Sequence, residues 1–269
     1  MLERNTSPQF CIIAPTKYLF YADQSDMHIV LAHLVDTDEE YAKFYAKNTD
    51  YKIMDNGAFE LGESYAPEKL VELAQKCKAD AIVLPDYPGK KAEKTIKAAE
   101  ELIPQVKDAG FATFFCPQSQ NDEMNEWIDA YSWGAANDDI DIIGMSILAI
   151  PTAMPHIPKA YARVVMTQLL IDRGEFNFDK YHHYLGLNAG PNLELPALIK
   201  MKAMDSMDSS NPVWMGILGH RYSGNTDSYL GVSKVKMEVQ FDYPLTSDLT
   251  TLNNIQHNID MTLGLLKQR

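Results

Sequence analysis

The sequence predicts an α/β fold, a (β/α)8 barrel of the TIM type in a single domain, and three observations carry that prediction. Short apolar runs alternate with amphipathic stretches of helical period along most of the chain, as parallel strands joined by crossover helices require. Polar residues recur directly after many of the apolar runs, whereas an open doubly wound sheet would gather them at one switch point. The length of 269 residues, without internal repeat or low-complexity linker, suits one barrel over residues 1–269.

Each element has its own signal. Phe10-Cys11-Ile12-Ile13-Ala14, stopped by Pro15, reads as the first strand. Met27 to Val35 reads as the second, with His28 and His33 inside it as ordinary core or face residues, since no third ligand accompanies them. Thr37-Asp38-Glu39-Glu40 has the capping-box form and starts a helix to about Lys47. Tyr51-Lys52-Ile53-Met54 is the next strand, followed by Asp55-Asn56-Gly57-Ala58-Phe59-Glu60. Pro67 fits the first turn of a helix that packs Leu70, Val71, Leu73 and Ala74 and ends near Lys78.

Ala81-Ile82-Val83-Leu84 is continuously apolar, as a strand covered on both faces must be, and ends at Pro85-Asp86-Tyr87-Pro88-Gly89. Lys91 to Lys107 is helical, with Pro104 as a kink or early stop and Gly110 suited to the cap that follows. Phe111 to Cys116 is a strand ending at Pro117-Gln118-Ser119-Gln120, and Asn121 to Tyr131 is a helix. Asp141 to Ser146 is a strand, Pro158 to Asp172 a helix closed by Arg173-Gly174, and His182 to Leu187 another strand. Asn192 to Met201 is helical, with Pro196 tolerable only near its start. Lys202 to Met207 leads into Asp208-Ser209-Ser210-Asn211-Pro212. Val235 to Phe241 alternates like a half-buried strand. The terminal helix, 247–267, is capped by Ser247 and carries a stripe of Leu249, Leu252, Ile255, Ile259, Leu263 and Leu266.

Composition narrows the function classes. No apolar run approaches the roughly 18 residues of a membrane span, and the N-terminus lacks a basic segment followed by an apolar one. A cytoplasmic protein is expected. The three cysteines, Cys11, Cys77 and Cys116, are too scattered for a disulfide framework or a metal knuckle, so buried thiols and no metal are expected. No Gly-rich phosphate loop of either nucleotide-binding type is present, so no cofactor is expected. The net charge of −13 works against contact with nucleic-acid phosphates, though a local basic patch can suffice. Lys90, Lys91, Lys94 and Lys97 share one helix and read as a solvated face, as do Lys234 and Lys236 later in the chain. Met201, Met204, Met207 and Met215 read as core packing.

Four strand ends carry the candidate chemistry: Asp55, Asp86, Gln118 and Asp208. In a barrel their side chains can converge on one pocket. Two carboxylates in distinct environments can divide nucleophilic and acid/base work. The further Asp and Gln offer acceptors and donors for a planar heterocycle, and Phe59 and Tyr87 offer stacking surfaces. Asp-Asn-Gly and Asp-Ser-Ser-Asn-Pro are also plain turn sequences.

Asp55-Asn56-Gly57-Ala58-Phe59-Glu60 resembles the Asp-Ser-Gly-Gly-Phe-Gln motif of the tRNA-guanine transglycosylase superfamily. Val83-Leu84-Pro85-Asp86, Pro117-Gln118-Ser119, Ile143-Gly144-Met145-Ser146, Tyr184-Leu185-Gly186-Leu187 and Met207-Asp208-Ser209-Ser210-Asn211-Pro212 resemble further motifs of that family, in order, over residues 50–215. The resemblance implies that Asp208 is the nucleophile and Asp55 the general acid/base. It implies that Asp86 and Gln118 read the base, with Phe59, Gly144, Ser146 and Gly186 lining its site. The tRNA enzymes carry a Cys-x-Cys-x-x-Cys zinc site that this chain lacks after Cys116, and Glu60 stands where they have Gln. The chain is more similar to the shorter relatives in phages and bacterial islands that insert 7-deazaguanines into DNA. That resemblance implies replacement of guanine in DNA by a 7-deazaguanine base, with tRNA or a free nucleoside as the alternative substrate and a non-catalytic base-binding barrel as the other reading. His220-Arg221-Tyr222 is a candidate phosphate contact, or equally a surface loop with a stray basic pair.

Overall fold

The computed structural model describes residues 6–187, 191–223 and 239–267. Eight parallel strands form one sheet: β1 (Gln9–Ile12), β2 (Met27–Val30), β3 (Tyr51–Met54), β4 (Ala81–Val83), β5 (Ala112–Phe115), β6 (Ile142–Gly144), β7 (Tyr181–Tyr184) and β8 (Ser206–Ser209). The hydrogen-bonded order runs β1-β8-β7-β6-β5-β4-β3-β2, so β2 to β7 each pair with the next strand in sequence and β8 returns to β1. With β2 lying beside β1, the result is a nearly closed (β/α)8 barrel.

Helices fill the connections. They are α1 (Leu19–Ala22), α2 (Ala32–Thr37), α3 (Glu39–Lys47), α4 (Ala58–Leu61), α5 (Pro67–Cys77), α6 (Ala92–Asp108), α7 (Met124–Ala136), α8 (Ala149–Ala153), α9 (Lys159–Asp172), α10 (Pro191–Met201), α11 (Asn211–Ile217) and α12 (Leu249–Leu266). Helix α12 packs mainly on α11 and α10. Gly216 meets Ile255 so closely that an added Cβ would lie 2.6 Å from its backbone. Cys11, Cys77 and Cys116 are free and buried, and Met204, Met207 and Met215 belong to the core.

The N-terminal ends of the strands share one device. Asp80, Asp141 and Asp205 each precede an even-numbered strand and accept a backbone N–H from the strand before: Lys52, Thr113 and His182, at 2.8, 2.9 and 2.8 Å. The backbone N–H of each Asp donates in return to the carbonyl of the same residue. These carboxylates secure the register at the face where barrel residues serve stability.

Several boundaries differ from the sequence reading. The run Met27–Val35 is strand only to Val30, and Ala32 onward is helix, because apolar continuity alone does not separate a buried strand from a buried helix turn. His33 therefore sits on α2 against Phe241, while His28 packs inside the wall on Tyr45. Asp38, not Thr37, caps α3, since Thr37 ends α2 and donates to the His33 carbonyl. Pro104 neither stops nor shortens α6, which runs on to Asp108. Pro104 and Glu100, whose carbonyl loses its partner, both lie on the exposed face where water can replace the bond. Pro196 likewise sits in the second turn of α10. Helix α7 starts at Met124 rather than Asn121, and α8 has no counterpart in the sequence reading. Asp248, not Ser247, caps α12, and Leu249 is exposed, so Asn254, Asn258 and Thr262 share the buried stripe instead. Most of the strand expected over 235–241 lies outside the described residues, and Val239 to Phe241 is not strand.

Candidate active site

Asp55 follows β3, Asp86 and Gln118 follow β4 and β5, and Asp208 lies within β8. Because all eight strands are parallel, the four residues crown the same end of the barrel. The acids sense one another. Burial pushes the Asp55 carboxyl up to about 6, the negative charges of Asp86 and Asp208 push it the same way, and the Gly57 N–H bond opposes them. Asp55 is thus a carboxyl poised to change its proton near neutral pH, as a general acid/base must be.

The loop after Met54 is both turn and site. Asp55 Oδ2 accepts the Gly57 N–H at 2.8 Å and Asn56 Oδ1 accepts the Ala58 N–H at 2.9 Å. Gly57 has φ +79°, and a Cβ there would touch the Tyr65 ring at 3.0 Å, so glycine is required on two counts. The turn fixes Asp55 at the end of its strand.

Asp86 is buried and held on both oxygens. Asn56 Nδ2 donates to its Oδ1 at 2.8 Å and to the Leu84 carbonyl at 3.0 Å, while Gln118 Nε2 donates to its Oδ2. Burial raises the Asp86 carboxyl above its ordinary range, and the two amides favour its charged form. Asn56, Asp86 and Gln118 thus form a hydrogen-bonded row of amide and carboxylate groups, with Cys116 buried behind it. Such a row carries both donors and acceptors, the groups that the edge of a nucleobase pairs with.

Asp208 has a partner that the sequence reading missed. His183, on β7, is fully buried and places Nε2 3.0 Å from Asp208 Oδ1 and Nδ1 2.7 Å from Ser206 Oγ. The Gly186 N–H donates to the same Oδ1 at 2.9 Å. The signal available was alternation: on a strand buried on both faces, of two adjacent histidines one must point inward. His182 points outward, to the Tyr131 hydroxyl, and His183 points inward.

A second buried group also escapes sequence reasoning. Arg163 of α9 forms a two-bond ion pair with Glu194 of α10, at 2.6 and 2.7 Å, with both side chains essentially inaccessible. Its remaining N–H groups donate to the carbonyls of Met145, Leu185 and Gly186. The arginine ties together the segments that leave β6 and β7, including the residue whose N–H holds Asp208.

The remaining sequence candidates divide between the site and the outer surface. Gly186 has φ +76°, and its N–H is engaged by Asp208. Gly144 makes room for the Phe114 ring, which an added Cβ would meet at 2.4 Å. Ser146 Oγ accepts the backbone N–H groups of Leu148 and Ala149, both at 3.1 Å, and so starts α8. Phe59 lies on α4, and its side chain is outside the described residues. Tyr87 carries the Lys94 ammonium 3.8 Å above its ring. His220 and Arg221 are exposed and lie against α12, where Arg221 meets His257 at 2.9 Å and Asn258 binds the His220 carbonyl. They do not join the strand-end acids. Lys234 and Lys236 lie outside the described residues.

A surface depression of about 710 Å3 lies elsewhere, lined by Asp23, Glu39, Glu40, Lys43, Phe44, Lys47 and Asn48. It is a solvated charged face, whereas the candidate side chains gather at the strand ends. Among the described residues no group of His, Cys, Asp or Glu is arranged to hold a metal ion, and no helix is long and apolar enough to cross a membrane. The sequence matches no known protein family and no curated protein.

Proposed function

We propose that this barrel exchanges guanine in DNA for a 7-deazaguanine base through a glycosyl intermediate covalently attached to Asp208. The observation that carries the reading is the meeting of two acids from distant parts of the chain, Asp55 and Asp208, with the Asp86–Gln118 row at the same end of the barrel. Double displacement at a sugar–base bond needs two carboxylates with different duties.

The steps balance on these residues. An Asp208 carboxylate oxygen forms a bond to C1′ as the bond from C1′ to the guanine nitrogen breaks. Protonated Asp55 gives its proton to the departing guanine. The replacement base then loses a proton to the Asp55 carboxylate, its nitrogen bonds to C1′, and Asp208 is released unchanged. A carboxyl near 6 serves both half-reactions, because either proton state is accessible close to neutrality. Asp86 accepts from the base edge and Gln118 supplies its free carbonyl oxygen, so recognition uses the row already steadied by Asn56. The target nucleotide must leave the helical stack to reach such a site.

A polyanionic partner fits the rim next to Asp86. Lys90 and Lys91, just before α6, and Lys94 and Lys97, on its first turns, border a depression of about 360 Å3 that also includes Glu93. None of the four has an ion pair with a described residue, unlike Lys17, Lys43, Lys69, Lys76 and Lys107. They take the role that the sequence alone assigns to His220 and Arg221.

The test is incorporation of labelled 7-deazaguanine into duplex DNA and into tRNA by the wild type and by Asp208→Ala. The reading expects label in DNA only, and none with the variant. Label in tRNA alone selects the ribosyltransferase alternative. No label in either polymer, with base binding retained, selects the binding barrel.

A further inference from the structure

We infer that His183, oriented by Ser206, is the positioning residue of Asp208: it fixes which carboxylate oxygen reacts. The inference rests on Asp208 being the nucleophile. Oδ1 of Asp208 lies between two donors, the His183 imidazole Nε2 at 3.0 Å and the Gly186 backbone N–H at 2.9 Å. No described residue hydrogen-bonds to Oδ2. A carboxylate held at one oxygen by two fixed donors cannot rotate, and the other oxygen keeps its electron pairs for a carbon electrophile.

The histidine is itself fixed. A carboxylate oxygen only accepts, so the contact requires hydrogen on Nε2. In the neutral ring Nδ1 then accepts from the Ser206 hydroxyl at 2.7 Å. Ser206 sits on β8 two residues before Asp208, and β7 and β8 pair with His183 opposite Ser206. The register of one strand pair therefore aligns hydroxyl, imidazole and carboxylate in a row across the barrel interior. The Phe114 ring stands edge-on to the imidazole, with centroids 5.7 Å apart, and blocks its rotation. Phe114 fits there because residue 144 has no side chain. Gly144 thus also lets Phe114 lock the histidine.

Two measurements decide the matter. The first is the nitrogen-15 spectrum of histidine-labelled full-length protein. The inference expects His183 with hydrogen on Nε2 and an unprotonated, hydrogen-bonded Nδ1; hydrogen on Nδ1 with a bare Nε2 overturns it. The second compares His183→Gln, which keeps a donor of similar reach, with His183→Leu, which has none. Covalent adduct formation with guanine-containing DNA should fall about 100-fold or more for Leu, the size of a misplaced reacting group, and be rescued to within about tenfold by Gln. Binding of free 7-deazaguanine should be unchanged in both. Equal adduct rates for Leu and wild type, with both folded by thermal melting, overturn the inference. If wild type forms no adduct, the functional reading fails, and the spectrum still decides whether His183 holds Asp208.

Discussion

Asp55, just after β3, and Asp208, within β8, are separated around the barrel by β1 and β2 on one side and four strands on the other, yet the charge of Asp208 bears on the Asp55 carboxyl. Only a shared mouth brings together residues 153 positions apart (208 minus 55). That relationship has a direct thermodynamic consequence.

The folded value of Asp55 is about 6, against an ordinary 3.8. The raised value means that folding favours the protonated form. Its contribution to stability is complete below about pH 4 and is lost as pH rises through 6. Asp55→Asn should match wild type near pH 4 and exceed it by on the order of 1–2 kcal/mol at pH 7–8, allowing for Asp55's partial solvent contact. Urea melts at the two pH values check this, and the same variant should lose base exchange.

Asp86→Ala removes the acceptor that Asn56 and Gln118 both hold. Affinity for free 7-deazaguanine should fall about 10- to 100-fold, the range of a hydrogen bond to a charged group. Calorimetric titration of the base alone measures it without any polymer present.

Gly186→Ala strains a backbone at φ +76° and drives a Cβ to 2.8 Å from Ile147 Cγ2. A loss of about 1–3 kcal/mol in stability is expected. Base exchange should fall further than unfolding explains, because the Gly186 N–H holds Asp208.

Arg163→Met leaves the Glu194 carboxylate buried without its partner and should cost about 3–5 kcal/mol. Arg163→Met combined with Glu194→Leu should recover much of that loss, since two apolar side chains need no solvation. Denaturant melts of the single and double variants test the difference.

Replacing Lys90, Lys91, Lys94 and Lys97 by Gln should weaken DNA binding and flatten its dependence on salt, by about 0.9 in logarithmic slope for each phosphate that is no longer neutralised. Fluorescence anisotropy across a salt series measures the slope. The Arg221→Gln variant, altered where the chain meets α12, should leave it unchanged.

The barrel was legible because its strands are short, apolar and separated by amphipathic helices, a pattern that survives errors at each boundary. The boundaries failed where one signal serves two structures: at Leu31–Val35 the apolar run continues from strand into helix, and at Pro104 exposure removes the penalty that proline otherwise imposes. The placement of Asp55, Asp86, Gln118 and Asp208 at one end of the barrel was legible because each follows or closes a strand of an all-parallel sheet, although the same sequences also make turns. His183 and Arg163 were not, because each gains its meaning only from a partner supplied by another element, Asp208 and Glu194. The turn reading of Asp55-Asn56-Gly57 does not compete with the proposed role of Asp55, since the turn is how its carboxyl is held.

Arg163 lies closer to the barrel mouth than an outer helix would suggest, and a guanidinium there invites comparison with a phosphate clamp. Its N–H groups, however, are already distributed among one carboxylate and three carbonyls of its own chain. A visiting anion would find no hydrogen to bind and would meet Glu194 behind it. The positive charge works inward, as a rivet between two neighbouring staves, and grip on a charged polymer has to come from the outer rim.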